Sequence, residues 1–453
     1  MRRLFGTDGV RGIANEPPIT PELALALGRA VTFVAGRGRS HTPRIIIGKD
    51  TRLSGYMIET AIAAGICSMG GRVLLCGPIP TPAVAHLTVS MRTDAGIVIS
   101  ASHNPFADNG IKIFGADGFK LPDDAESEIE QLMESGELGP RKTGPLIGRA
   151  EKLEDARGRY VAFAKATFPR DLSLDGVRLV VDAAHGAAYR VAPIVFQELG
   201  AKVTAIGVKP NGVNINREHG ALHPEKVRAE VLRREASIGI ALDGDADRVI
   251  VVDEKGDVVD GDAVMAMCAS RMIRDRELRK ATVVATVMSN LGLERALSGQ
   301  GVRLVRTPVG DRYVVEAMRE GGFNLGGEQS GHLIFLDHAS TGDGIIGALQ
   351  VLALMMRSGK PLSELARAAM RRVPQVLENV TLPERRPLDQ MAELARASQR
   401  VQADLGAEGR LLVRWSGTEP KLRIMIEGPD EGRIQSLARE LADAARRDLA
   451  AAV

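Results

Sequence analysis

Four short runs of this sequence combine residue types that do chemistry. Ser100, Ala101, Ser102, His103, Asn104 and Pro105 follow the apolar run Gly96 to Ile99. Small polar residues after a buried strand put Ser102 at the strand's carboxyl end, where open α/β sheets bind ligands. A serine hydroxyl there can act as nucleophile or phosphate carrier, with His103 and Lys112 near in sequence to move protons or balance charge. The competing reading is a plain turn ahead of a proline.

Asp243, Gly244, Asp245, Ala246, Asp247 and Arg248 lie between the apolar runs Ile238 to Leu242 and Val249 to Val252. Carboxylates at alternate positions converge on a hard divalent cation if the chain turns, and Gly244 and Ala246 leave room for the turn. A calcium loop of the EF-hand type competes, because Glu254 stands at its twelfth position. Its sixth position, however, is Arg248 where that loop needs glycine, and its flanks look like strands rather than helices. Magnesium with an external phosphate ligand fits better. A solvated acidic turn is the remaining alternative, although this much charge between two buried strands needs a partner.

The third run, Gly326 to His332, sets Glu328, Ser330 and His332 among glycines on a loop entering the strand Leu333 to Phe335. Its donors and acceptors suit sugar hydroxyls; a glycine-rich turn would look similar. The fourth, Arg414 to Arg423, holds Arg414, Ser416, Gly417, Thr418 and Arg423. Forked guanidinium donors, hydroxyls and a freed backbone are what a phosphate dianion requires, and a hairpin turn is the alternative. GxxxxGK does not occur, so nucleotide binding by that route has no support.

These loops need a frame. Apolar strands at Ile45 to Ile47, Arg72 to Leu75 and Gly96 to Ile99 alternate with helical stretches at Ser54 to Met69 and after Pro82. The alternation implies βαβ crossovers and a mostly parallel core. It restarts twice, and beyond about Ala369 the order becomes strand, helix, strand, strand, helix. The expected fold is α/β: three successive mixed-sheet α/β domains (1–150, 151–257 and 258–369) and a smaller C-terminal α+β domain (370–453).

With 453 residues, 44% hydrophobic and 26% charged, the chain falls in the globular range. A net charge of +2 is too balanced for a polyphosphate-binding sheath, and 3% aromatics offers few stacking platforms, so no nucleic-acid partner is expected. Cys67, Cys76 and Cys268 are scattered, which points to reduced thiols and a cytoplasmic location. No segment is apolar for long enough to serve as a signal peptide or membrane span.

Read in order, FGTDGVRG at Phe5 to Gly12, ASHNP, NGIKIF at Asn109 to Phe114, DGDADR, GGEQSGH and RWSGTEP resemble the α-D-phosphohexomutase superfamily across essentially the whole chain. Within it the motifs are closest to the bacterial phosphoglucosamine mutases, with Gln329 where glucose and mannose mutases usually carry Met. The resemblance implies four domains around a central cleft and a phosphorylated Ser102. It implies Mg²⁺ held by Asp243, Asp245, Asp247 and a phosphoserine oxygen. Lys112, Arg11 and His103 would manage protons and charge, with Lys112 as a base if burial and neighbouring cations lower its pKa. Glu328, Ser330 and His332 would grip the sugar beside Arg248, and Arg414, Ser416, Gly417, Thr418 and Arg423 the idle phosphate; the Lys49 to Arg52 segment would support the cleft.

The implied reaction interconverts glucosamine 6-phosphate and glucosamine 1-phosphate through glucosamine 1,6-bisphosphate, supplying UDP-N-acetylglucosamine synthesis. Trp415, where the superfamily commonly has Pro, and Glu218 and His219, where relatives often show Cys, depart from its pattern. A phosphomannomutase/phosphoglucomutase and a non-catalytic phosphosugar sensor are the alternatives, and the oligomeric state stays open, a homodimer included.

Overall fold

The structure is a computed structural model describing residues 4–6, 8–382, 384–416 and 421–450. The chain divides into two compact units, residues 1–286 with 304–369 and residues 287–303 with 370–453.

In the first unit, a six-stranded sheet runs Val10–Ile13, Asp108–Gly115, Ala95–Ile99, Arg44–Lys49, Arg72–Pro78, Ala150–Lys152. The isoleucines at 45, 46 and 47 are fully buried, as expected for a central strand covered on both faces. Arg44–Lys49 is parallel to both neighbours, whereas Asp108–Gly115 runs antiparallel to Ala95–Ile99 and Val10–Ile13. The Ser102 loop is thus the reversal between two sheet neighbours, which brings Lys112 back beside it.

A five-stranded sheet follows, in the order Val258–Val259, Val249–Asp253, Ile238–Leu242, Arg178–Asp182, Lys202–Ile206. Ile238–Leu242 and Val249–Asp253 form an antiparallel hairpin with Leu242 opposite Val249, and the aspartates fill its loop. The third sheet orders Arg303–Thr307, Thr282–Thr286, Leu325–Gly327, Leu333–Phe335. Gly326 and Gly327, expected on a loop, belong to a strand pairing with Ile334 and Leu333. Tertiary pairing here overrides the low strand preference of glycine.

The second unit is built on an antiparallel sheet, Gln375–Thr381, Lys421–Glu427, Arg410–Trp415, with helices Ala392–Leu405 and Glu431–Ala450. Leu394, Val401, Leu422, Ile424, Ile426 and Leu441 make its core. Residues 287–303, inside the segment read as a third domain, cluster with this unit. Asn290 caps the helix Leu291–Ser298 and donates to Val373 O and Glu427 Oε1, both at 3.0 Å.

Candidate active site

Ser102 is buried, with a left-handed φ of 51° that a side chain rarely adopts. Surrounding bonds hold it there. Its N–H donates to Ser100 Oγ (2.9 Å), while its carbonyl accepts from Arg52 Nη2 (2.9 Å) and Asn216 Nδ2 (2.8 Å). The fully buried Arg52 is aligned by Asp50, which also accepts from Ser100 Oγ at 2.6 Å. Lys49 plays no part in this support, because it pairs with Glu59 over the ring of Tyr56.

So fixed, Ser102 Oγ donates to Asp243 Oδ2 at 2.5 Å and lies 3.3 Å from His103 Nδ1. The same imidazole nitrogen accepts from Arg248 Nη1 at 3.0 Å. Burial, with the Arg248 and Arg11 charges, pushes the His103 pKa down to about 4, leaving a neutral ring at neutral pH.

The aspartate hairpin packs tightly against this loop. A Cβ on Gly244 would come within 2.5 Å of Ser102 O, so only glycine permits the approach. Ala246 takes a left-handed φ of 58°, completing the turn expected from the sequence. Asp243, Asp245 and Asp247 are all buried, with ligand oxygens within 4.8 Å of one another. Burial and the charges of Asp247 and Asp245 push Asp243 well above the usual carboxylate range.

Thr81 Oγ1 and Lys112 Nζ donate to Asp245 Oδ2 at 2.7 and 3.1 Å, and Lys112 also reaches Asp247 Oδ2 at 3.3 Å. Asp245 Oδ1 and Asp247 Oδ1 are buried without a hydrogen-bond partner. Converging hard oxygens with unmet acceptors fit a divalent cation. The EF-hand alternative fails: the flanks are strands, and Glu254 accepts from the Ser363 N–H at 3.2 Å.

Lys112 differs from the sequence expectation. Burial disfavours its charge, but Asp245, Asp8 and Asp247 outweigh burial and hold its pKa well above the ordinary value. Its neighbours are mainly anions, so it serves as a fixed cation. Arg11 pairs with Asp8, which also lies 3.3 Å from Lys112 Nζ.

The glycine-rich hairpin meets the aspartate hairpin through the bond from Val249 N to Gly331 O at 3.0 Å. Glu328 accepts from Ser330 Oγ (3.1 Å) and Gly310 N (3.3 Å), and His332 Nδ1 stands 3.7 Å from Asp247 Oδ1. Burial opposes the His332 charge, but Asp247, Asp311 and Glu328 raise its pKa above the ordinary histidine value. Gln329 points elsewhere, its amide 3.5 Å from Asp260, the cap of helix Gly261–Arg274.

In the second unit, Arg414 and Arg423 face each other across adjacent antiparallel strands, and Ser416 is buried beside them in sequence. Burial and the Arg423 charge lower the Arg414 pKa. Two facing guanidinium groups favour an anion. Gly417 and Thr418 lie outside the described residues.

Family profiles described as phosphoglucomutase/phosphomannomutase α/β/α domains I, II and III match residues 2–139, 159–256 and 260–373, and the C-terminal domain of that family matches 377–444. A phosphoglucosamine mutase of Sorangium cellulosum is 70% identical over 100% of this chain and 94% of its own. The chain belongs to the phosphoglucosamine mutase family of the phosphohexomutase superfamily.

Another member of that family, from Myxococcus xanthus, is 58% identical over 99% of this chain and 98% of its own. Among solved structures, a phosphoglucomutase/phosphomannomutase family protein from Burkholderia thailandensis superposes with TM-score 0.80 at 24% identity, covering 98% of this chain and 97% of that one. The N-acetylphosphoglucosamine mutase of Aspergillus fumigatus, solved with GlcNAc-6P and magnesium, gives TM-score 0.67 at 18% identity over 99% and 96%. These likenesses place the chain in the phosphohexomutase fold: three α/β domains and a C-terminal domain.

Sequence reasoning missed Asp8, Thr81, Lys120, Asn216 and Asp311. Apart from the Asp8–Arg11 pair, their partners are remote in sequence, and the GDR context of Asp311, Gly310 to Arg312, is ordinary before folding.

Proposed function

We propose that this enzyme is an isomerase that interconverts glucosamine 6-phosphate and glucosamine 1-phosphate. The observation that carries the reading is the 2.5 Å bond from Ser102 Oγ to Asp243, within a buried set of three carboxylates. A serine aimed at a cation site suits phosphoryl rather than acyl transfer, because charge on the moving group must be neutralised. The amino-sugar assignment is supported by relatives named phosphoglucosamine mutase at 58 and 70% identity.

Ser102 carries the phosphoryl group between turnovers. Its P–O bond breaks as phosphorus bonds to one sugar hydroxyl oxygen, giving glucosamine 1,6-bisphosphate. The proton of that hydroxyl is taken by a nearby base and returned to Ser102 Oγ. The bisphosphate turns around, and its other phosphoryl group moves to Ser102 Oγ while the freed sugar oxygen takes a proton. His103, neutral and 3.3 Å from Oγ, is placed to hold the serine proton in transit.

Asp243, Asp245 and Asp247, with a phosphoserine oxygen, would hold Mg²⁺, which neutralises charge on the transferring group when bound. Lys112, Arg11 and Arg248 supply fixed positive charge. Glu328, Ser330 and His332 orient sugar hydroxyls. Arg414, Ser416 and Arg423, with Gly417 and Thr418, bind the phosphate that is not being transferred. The reading places the enzyme in the cytoplasm, supplying UDP-N-acetylglucosamine synthesis.

The test is conversion of glucosamine 6-phosphate with Mg²⁺, against glucose and mannose 6-phosphates, with Ser102→Ala as control. Preference for the amino sugar, abolished by the substitution, is expected. Equal or faster turnover of neutral sugars would instead favour the phosphomannomutase/phosphoglucomutase reading, and inactivity of Ser102-phosphorylated protein a sensor.

A further inference from the structure

Six buried or nearly buried side chains of the first unit close a ring in which carboxylates alternate with basic groups. Asp247 Oδ2 accepts from Lys112 Nζ at 3.3 Å, and Lys112 Nζ stands 3.3 Å from Asp8 Oδ2. Asp8 Oδ1 accepts from Lys120, whose Nζ also donates to Asp311 Oδ2 at 2.6 Å. Asp311 Oδ2 lies 3.5 Å from His332 Nε2, and His332 Nδ1 lies 3.7 Å from Asp247 Oδ1, which completes the circuit. The last two are ion-pair separations rather than hydrogen bonds, and His332 Nε2 has no hydrogen-bond partner.

The members come from distant segments. Lys112 lies on strand Asp108–Gly115, Lys120 bridges back to Phe114, Asp247 sits in the aspartate hairpin, and Asp311 opens the helix Asp311–Gly321. Lys112 and Lys120 each stand between carboxylates, the arrangement that makes charge tolerable away from water. Lys120 is the member farthest along the ring from the carboxylate hairpin: its partners are Asp8 and Asp311, and its side chain is 11% exposed.

We infer that Lys120 is a positioning residue for phosphoryl transfer, locking Asp8 and Asp311 so that Lys112 and His332 keep their places on either side of Asp247. The inference rests on the proposed phosphoryl transfer, but not on the identity of the sugar. Without the Lys120 charge, two carboxylates lose their common cation. Asp8 then turns to Lys112 and Arg11, Asp311 turns to His332, and the Lys112 and His332 side chains are drawn from their present positions.

The experiment compares Lys120→Met, Lys120→Arg and Asp311→Asn in full-length protein phosphorylated on Ser102, verified by intact mass. The substrate is whichever of glucosamine, glucose and mannose 6-phosphates the unsubstituted enzyme turns over fastest, so an error in the sugar assignment appears in that choice alone. For Lys120→Met we expect kcat to fall about 100-fold with KM within about threefold, because misplacement affects the reaction more than binding. Lys120→Arg should recover at least about a tenth of the original kcat. Combining Lys120→Met with Asp311→Asn should cost little more than either alone, since both break one connection.

An unchanged kcat in Lys120→Met, a KM rise accounting for the whole loss, or multiplicative losses in the double variant would each overturn the inference. Should Lys120→Met not fold, Asp311→Asn and Lys120→Arg carry the same kcat-against-KM comparison. If no sugar phosphate is turned over, the proposed function fails separately. A crystal structure of Lys120→Met, or of Asp311→Asn, then reads the ring directly: displacement of Lys112 or His332 from Asp247 supports the inference, and unmoved side chains refute it.

Discussion

Arg414 and Arg423 are direct cross-strand partners on antiparallel strands, like charges set face to face. Such pairs weaken a sheet unless an anion lies between them. Inorganic phosphate should therefore raise the thermal midpoint of the second unit, and phosphosugar should do so at lower concentration. In Arg423→Met the response to phosphate should shrink severalfold, with KM for the sugar phosphate rising about tenfold for loss of one charge-assisted contact. Calorimetry with and without phosphate checks this; an equal shift in both proteins would remove the anion from the account.

The aspartate hairpin makes the opposite prediction for stability and activity. Burial, Asp247 and Asp245 all disfavour ionised Asp243, so its folded pKa lies above its unfolded value. The folded chain then binds the proton more readily, and stability is lost as pH rises through the window above the unfolded carboxylate range. Asp243→Asn should leave metal-free protein at neutral pH as stable as the original or more so. The same change should lower kcat by about 100-fold or more and abolish stabilisation by Mg²⁺, because a buried ligand charge is gone. A chelator should reproduce the loss of turnover in the unsubstituted enzyme. Denaturation with and without Mg²⁺ decides; a variant still stabilised by the ion would place the cation elsewhere.

The parts of this site that were legible in the sequence are contiguous. Ser102, the three aspartates and the Arg414 loop each follow an apolar run, and turn chemistry at the end of a buried strand survives folding unchanged. The strands themselves were readable for the same reason, Ile238–Leu242 and Leu333–Phe335 with their bounds. The helix Pro21–Gly36 carried a signal that went unread, a Thr20 cap followed by proline at the first position. What the sequence could not supply was the company each charge keeps. Lys112 looked like a base awaiting a lowered pKa; Asp8 and the hairpin carboxylates Asp245 and Asp247 make it a persistent cation instead. Asp8, Lys120 and Asp311 acquire meaning only once the first and third sheets are assembled.

Gly244 offers a test of how closely the two loops must meet. An added Cβ would lie 2.5 Å from Ser102 O, a backbone atom held by Arg52 and Asn216. Neither loop can yield without breaking those bonds. Gly244→Ala should destabilise the protein by about 1–3 kcal/mol, the usual cost of overpacking. It should also lower kcat more than it raises KM, because the serine oxygen is moved relative to the carboxylates. Retention of both stability and kcat would show that the contact is slack.

Asp343 and Tyr160 supply a pH dependence away from the reacting groups. Asp343 Oδ1 caps the helix Gly344–Ser358 through Ile345 N (2.9 Å) and Ile346 N (3.0 Å), and its carboxylate accepts the Tyr160 hydroxyl at 2.9 Å. Burial nevertheless pushes its pKa up to about 6. The folded state therefore holds this proton more tightly than the unfolded chain does. Its contribution falls as pH rises from about 4 through about 6, by about 3 kcal/mol in all for a shift of about two units. Asn keeps a cap oxygen and an acceptor for Tyr160 but cannot ionise. Asp343→Asn should thus flatten the decline in urea midpoint across that window while leaving kcat at neutral pH unchanged. Tyr160→Phe should lower the midpoint instead, since it deprives a buried carboxylate of a donor. Parallel midpoint-against-pH curves for Asp343→Asn and the unsubstituted protein would mean that Asp343 is ionised to the same extent folded and unfolded.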